Sequence, residues 1–142
     1  MLSLHSVLRR GTILTLIVTF SIALAACGSS EPSASDGGNA GGGTVAVVDG
    51  EVAMTANDLE FDASTIEAPS GEEFTITFTN NESQPHNVAV YTEEGGEAII
   101  QGDVITGPDA TTQVVVEALE PGEYYFQCDV HPDMSGTIVV EG

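Results

Sequence analysis

An all-β sandwich behind an export segment and a tether is the arrangement this sequence predicts, and three observations predict it. Short runs rich in Val, Ile, Thr, Tyr and Phe recur between turn signals across residues 44–142. No stretch of that region carries a convincing helical period. Its length is that of one small two-sheet domain.

In chain order, residues 1–26 read as a lipoprotein signal peptide. Arg9-Arg10 give a basic start, an apolar run extends from Ile13 to Ala26, and Leu24-Ala25-Ala26 precede Cys27. The run falls short of the roughly 20 residues that a membrane-spanning helix needs. Cysteine directly after Leu-Ala-Ala fits a bacterial lipobox, with Cys27 as the acylated first residue of the mature protein. The protein is then exported, held to the membrane by lipid alone, and faces the periplasm or the cell exterior. Two arginines do not decide between general and twin-arginine export. Residues 27–43 contain Gly, Ser, Ala, Asn, Pro and acid with no large apolar side chain beyond Cys27, the composition of a flexible linker.

Arg9 and Arg10 are the chain's only basic residues apart from histidine, whereas all 22 Asp and Glu follow Cys27. Binding of nucleic acid is excluded, because phosphate recognition needs cationic side chains. The carboxylates are solvated, screened by salt, or matched by a partner, so the charge predicts a saline medium or a basic docking face on a partner protein.

Within the domain, strands are expected at 44–48, 51–56, 65–68, 72–80, 86–90, 111–118, 122–128 and 136–140. The clearest alternation is Phe74, Ile76, Phe78 with threonines between, which turns three large side chains to one core. Glu120-Pro121-Gly122-Glu123 has the residues of a type II turn. By period two, Tyr124, Phe126 and Cys128 share a face, so a buried Phe126 implies an inward Cys128. The glycine-bearing connection around Ile99, Ile100, Val104 and Ile105 receives no strand assignment.

The chemistry concentrates in a few scarce residues. Beyond the leader the chain has two histidines, His86 and His131, one cysteine besides Cys27, and two methionines, Met54 and Met134. Cys128, His131 and Met134 lie three residues apart in succession, with His86 upstream. Thiolate, two imidazoles and a thioether form the ligand set of a mononuclear blue-copper centre, which suits Cu(II) and Cu(I) alike. Plainer readings are surface histidines and a methionine that fills the core, as Met54 is expected to do. A Cys–His nucleophile pair would leave the second histidine and the methionine without a role.

The segments Phe78-Thr79-Asn80-Asn81-Glu82-Ser83-Gln84-Pro85-His86-Asn87-Val88 and Tyr124-Tyr125-Phe126-Gln127-Cys128-Asp129-Val130-His131-Pro132-Asp133-Met134 resemble those of the plastocyanin-like cupredoxins, with the loop spacing of the amicyanin type. The resemblance implies a Greek-key sandwich of about eight strands with one type 1 copper at one end. It makes His86, Cys128 and His131 the equatorial ligands and Met134 the axial one. Asn87 would tie the two ligand segments together, and His131 would be the electron port. It further implies a monomeric carrier of single electrons, not an enzyme, serving a cytochrome, an oxidase or a dehydrogenase. A copper carrier or sensor using the same ligands is the alternative. This chain departs from the pattern in lacking Lys and Arg and in having Asp129 and Asp133 inside the ligand loop.

Overall fold

The computed structural model describes residues 42–142, so the predicted signal peptide, Cys27 and nearly all of the linker lie outside the described residues. The described residues form twelve strands and no helix. In chain order these are β1 (Gly43–Ala46), β2 (Glu51–Asn57), β3 (Glu60–Phe61), β4 (Ala63–Pro69), β5 (Phe74–Asn80), β6 (Pro85–His86), β7 (Ala89–Tyr91), β8 (Ala98–Gln101), β9 (Ile105–Thr106), β10 (Ala110–Val116), β11 (Gly122–Gln127) and β12 (Ser135–Glu141).

A six-stranded sheet in the order β1-β4-β12-β11-β7-β8 and a four-stranded sheet in the order β10-β5-β2-β3 enclose the core. The short pair β6-β9 stands apart from both. Neighbours in the sheets are mostly not consecutive in the chain, and the pairs β1/β4, β4/β12 and β2/β5 run parallel. The all-β sandwich is therefore as the sequence predicts.

The core follows from alternation along the strands. Phe74, Ile76 and Phe78 of β5 are buried, as are Val52, Met54 and Ala56 of the adjacent β2. The facing sheet contributes Ile66, Val90, Phe126, Ile138 and Val140. Phe61 joins the two layers, with its ring 6.0 Å from Phe78 in an edge-on arrangement and 5.7 Å from Phe126. Aromatic pairs of this kind add a directional preference to the burial of area. They fix Phe126, and with it the end of β11 from which the ligand loop leaves.

Two expectations are corrected. The predicted strand 86–90 is divided into β6 and β7, because Asn87 leaves the ladder to make side-chain bonds elsewhere. No type II turn forms at 120–123, since Gly122 has φ 159°, which is extended, and it begins β11. The corner is instead held by the Tyr124 hydroxyl, which donates to the Glu120 carbonyl at 3.0 Å, and by Gly71 N–H, which donates to Leu119 O at 2.9 Å. The unassigned connection contains β8 and β9, and a two-residue turn with positive φ at Asp58 and Leu59 makes β3.

Candidate metal centre

His86 ends β6 and is fully buried. Its position is set from below by Asn80, a buried polar residue at the end of β5. The Asn80 amide donates to Gln84 O at 2.7 Å and to Ile105 O at 3.1 Å, while its oxygen accepts from Glu82 N–H at 3.0 Å. One side chain thus satisfies the backbone of the loop before His86 and of the β9 strand that pairs with it.

The second segment closes on itself. Cys128 N–H donates to Met134 O, and Met134 N–H donates to His131 O, each at 2.9 Å. Cys128 and Met134 are buried in the core cluster, whereas His131 is half-buried and its neighbour Val130 is 40% exposed. Gly136 lets the chain re-enter the sheet here, because a Cβ at this position would collide with the Phe126 ring and the Ser64 carbonyl.

The two segments bring three donor atoms together. His86 Nδ1 and His131 Nδ1 are 3.2 Å apart, and Cys128 Sγ lies 3.6 Å from the first and 4.0 Å from the second. The centre of such a triangle is about 2.1 Å from each corner, close to the distances that imidazole nitrogen and thiolate sulfur keep from a first-row metal. Burial holds the pKa of His86 below its ordinary 6.5, with His131 acting in the same direction and Glu82 opposing. The ring is therefore neutral at physiological pH, as a metal ligand must be.

A polar frame surrounds the donors. The Asn87 oxygen accepts the Asp129 backbone N–H at 2.8 Å, and the Asn87 amide donates to Asp129 Oδ2 at 3.0 Å and to Gly102 O at 3.2 Å. Asn87 therefore bridges the His86 and Cys128 segments. Asp129 also accepts from the Tyr91 hydroxyl at 2.6 Å, from Gln101 Nε2 at 3.1 Å and from Gln127 Nε2 at 3.3 Å. Burial pushes the Asp129 carboxyl upward, but hydrogen bonds from Tyr91, Asn87, Gln127 and Gln101 outweigh it and hold the carboxyl below its ordinary 3.8. The hydrogen bond to Asp129, followed by burial, raises the Tyr91 hydroxyl above 10.0.

On the other side, Glu82 Oε1 is 2.8 Å from His86 Nε2 and accepts Leu59 N–H at 3.0 Å. Nε2 has no directed hydrogen-bond partner among the described residues, and the Glu82 carboxylate packs close against it.

Three predicted donors, His86, Cys128 and His131, thus meet at one point, and the buried Met134 closes the same loop. Sequence reasoning missed Asn80, Glu82, Tyr91, Gln101 and Gln127. Only the neighbourhood of Asp129 to Cys128 carried a signal, and it did not reveal the donors.

The chain matches the Cupredoxin-like domain over residues 14–140 and belongs to that family. It is similar to amicyanin of Paracoccus denitrificans, with 30% identity over 95 residues that cover 67% of this chain and 69% of the relative. Amicyanin-alpha of Methylorubrum extorquens is 38% identical over 66 residues, covering 46% of this chain and 53% of the relative. The chain therefore spans about half of that second protein. Reduced auracyanin from Roseiflexus castenholzii shares the fold, with a TM-score of 0.58 at 20% identity over 66% of this chain and 98% of that one. The family's cofactor is one type 1 copper, and the donor set of this chain fits it.

Proposed function

We propose that this chain is a blue-copper carrier of single electrons, exported and tethered to a membrane through a lipid on Cys27. The observation that carries the reading is the triangle of two imidazole nitrogens and one sulfur, 3.2 to 4.0 Å on a side. His86, Cys128, His131 and Met134 are the residues that would hold the copper. Bound copper supplies the Cu(II)/Cu(I) couple.

The protein's part is to hold these donors still. Cys128 is fixed by the strand end behind Phe126, His86 by Asn80 and the β6-β9 pair, and the loop by its own backbone bonds. Donors that do not move when the metal changes charge keep the reorganisation cost of transfer small. His131 is the less buried imidazole, beside exposed Val130 and Pro132, and is the port for the electron. The partner is a redox protein such as a cytochrome, an oxidase or a dehydrogenase, and a basic face on it would match this acidic chain. The protein acts as a monomer and carries electrons without catalysing a reaction of its own.

The test is the spectrum of the chain loaded with Cu(II). An intense thiolate-to-copper band towards the red end of the visible, with small copper hyperfine splitting, is expected, and Cys128→Ser should abolish the band. A variant that stayed blue would refute the ligand assignment. A colourless protein that retained only Cu(I) would assign the same residues to copper handling, as a carrier or sensor.

A further inference from the structure

We propose that Asp129 is a positioning residue whose fixed negative charge lowers the reduction potential of the centre, an inference that rests on the blue-copper reading. The ligand loop has two acids, Asp129 and Asp133, but only one is built into the fold. Asp133 is exposed, whereas Asp129 is half-buried and accepts four side-chain hydrogen bonds. Its donors come from β7 (Tyr91), β8 (Gln101), β11 (Gln127) and the link between β6 and β7 (Asn87). The 2.6 Å contact from the Tyr91 hydroxyl is of the length found where a hydroxyl donates to an ionised carboxylate.

All four donors are neutral, and the described residues contain no Lys or Arg. Hydrogen bonds stabilise this carboxylate without cancelling its charge, and the charge sits one residue from the sulfur ligand. The low dielectric of a partly buried site lets it act on the metal more strongly than a surface carboxylate would. A negative charge favours the more positive state of the metal, so Asp129 stabilises Cu(II) relative to Cu(I). The same bonds hold the backbone after Cys128 to the edge formed by β7 and β8, which is the positioning part of the role.

The experiment measures the visible spectrum and midpoint potential of the copper-loaded full chain and of two variants. Asp129→Asn keeps the shape and removes the charge. It should retain a blue band and raise the Cu(I)/Cu(II) ratio at a fixed applied potential about tenfold, an upward shift of about 59 mV for one electron. Tyr91→Phe keeps the charge and removes its shortest hydrogen bond, so it should move the potential the opposite way. An unchanged potential in a blue Asp129→Asn protein overturns the inference and leaves the copper reading intact. Shifts of the same sign in both variants also overturn it, because loosened packing would then explain them. Should Asp129→Asn fail to fold, the direction of the Tyr91→Phe shift decides. A parent chain without a blue band overturns the copper reading and this inference together.

Discussion

The two segments that meet at the centre are built in opposite ways. His86 is held from outside itself, by Asn80 below, by β9 alongside and by the Glu82 carboxylate packed behind the ring. The loop from Cys128 to Met134 is closed by backbone bonds between its own residues, is fastened to its neighbours only at its Asp129 end, and leaves His131 half-exposed. One histidine is therefore part of the frame, and the other is part of the surface. The difference separates what the core must supply, a fixed donor, from what an electron carrier must offer a partner, an accessible one.

Removing each ring in turn is the strongest way to break that comparison. His86→Gly opens a void at a fully buried position and should cost the copper-free protein about 3 kcal/mol. His131→Gly should cost little by comparison, since its ring is partly in water. With copper present, added free imidazole should restore a blue band in His131→Gly and not in His86→Gly. Denaturant unfolding and absorption measure the two effects, and equal rescue of both variants would contradict the assignment of frame and surface.

Asn87 is where the two segments are joined. Asn87→Ala removes the acceptor of the Asp129 N–H and the amide's bonds to Asp129 and Gly102. A loss of about 3 kcal/mol is expected in the copper-free protein, because the Asp129 N–H is left without its acceptor in a partly buried place. Urea unfolding would measure it. A loss below about 1 kcal/mol would mean that the segments are held in register by the strands alone.

This junction also marks how far the sequence could be read. Period two was enough for the buried face of β5 and the inward Cys128, because that signal is local, and scarcity was enough to single out His86, Cys128 and His131, the three donors that the fold brings together. Asn87 was recognisable only through resemblance. Tyr91, Gln101 and Gln127 were not, since each is an ordinary polar residue until β7, β8 and β11 become neighbours. Asp129 accordingly stood out only as an anomaly in its loop. The missed β3 has a physical cause as well. Its turn places Asp58 and Leu59 at φ 54° and 62°, where Asn-Gly or Asp-Gly would be expected, and Leu59 is held there by a bond from its N–H to Glu82. A contact 23 residues away replaced the local signal.

A gentler change sharpens the loop side of the comparison. Met134→Leu nearly conserves volume at a buried position and should cost less than about 1.5 kcal/mol. Copper should be retained and the reduction potential should move, because leucine offers the metal no axial sulfur. Voltammetry reads the shift, and an unchanged potential and spectrum would place Met134 in the core filling and outside the ligand set.

The smallest effect concerns the edge to which the loop is fastened. In the copper-free protein, Tyr91→Phe removes a hydrogen bond to a partly exposed carboxylate, which after solvent screening is worth about 1 kcal/mol at neutral pH. The sign with pH follows from the two groups. The Tyr91 hydroxyl is raised above its ordinary 10.0 in the folded protein, so its stabilisation is complete below that value and is lost as pH rises through the folded one. The Asp129 carboxyl is held below 3.8, so its stabilisation is present above that value and is lost as pH falls through the depressed one. The stability gap between parent and Tyr91→Phe should therefore be widest between these limits and close at both ends. A gap that stayed constant across the range would mean that Tyr91 stabilises the edge by packing and not through Asp129.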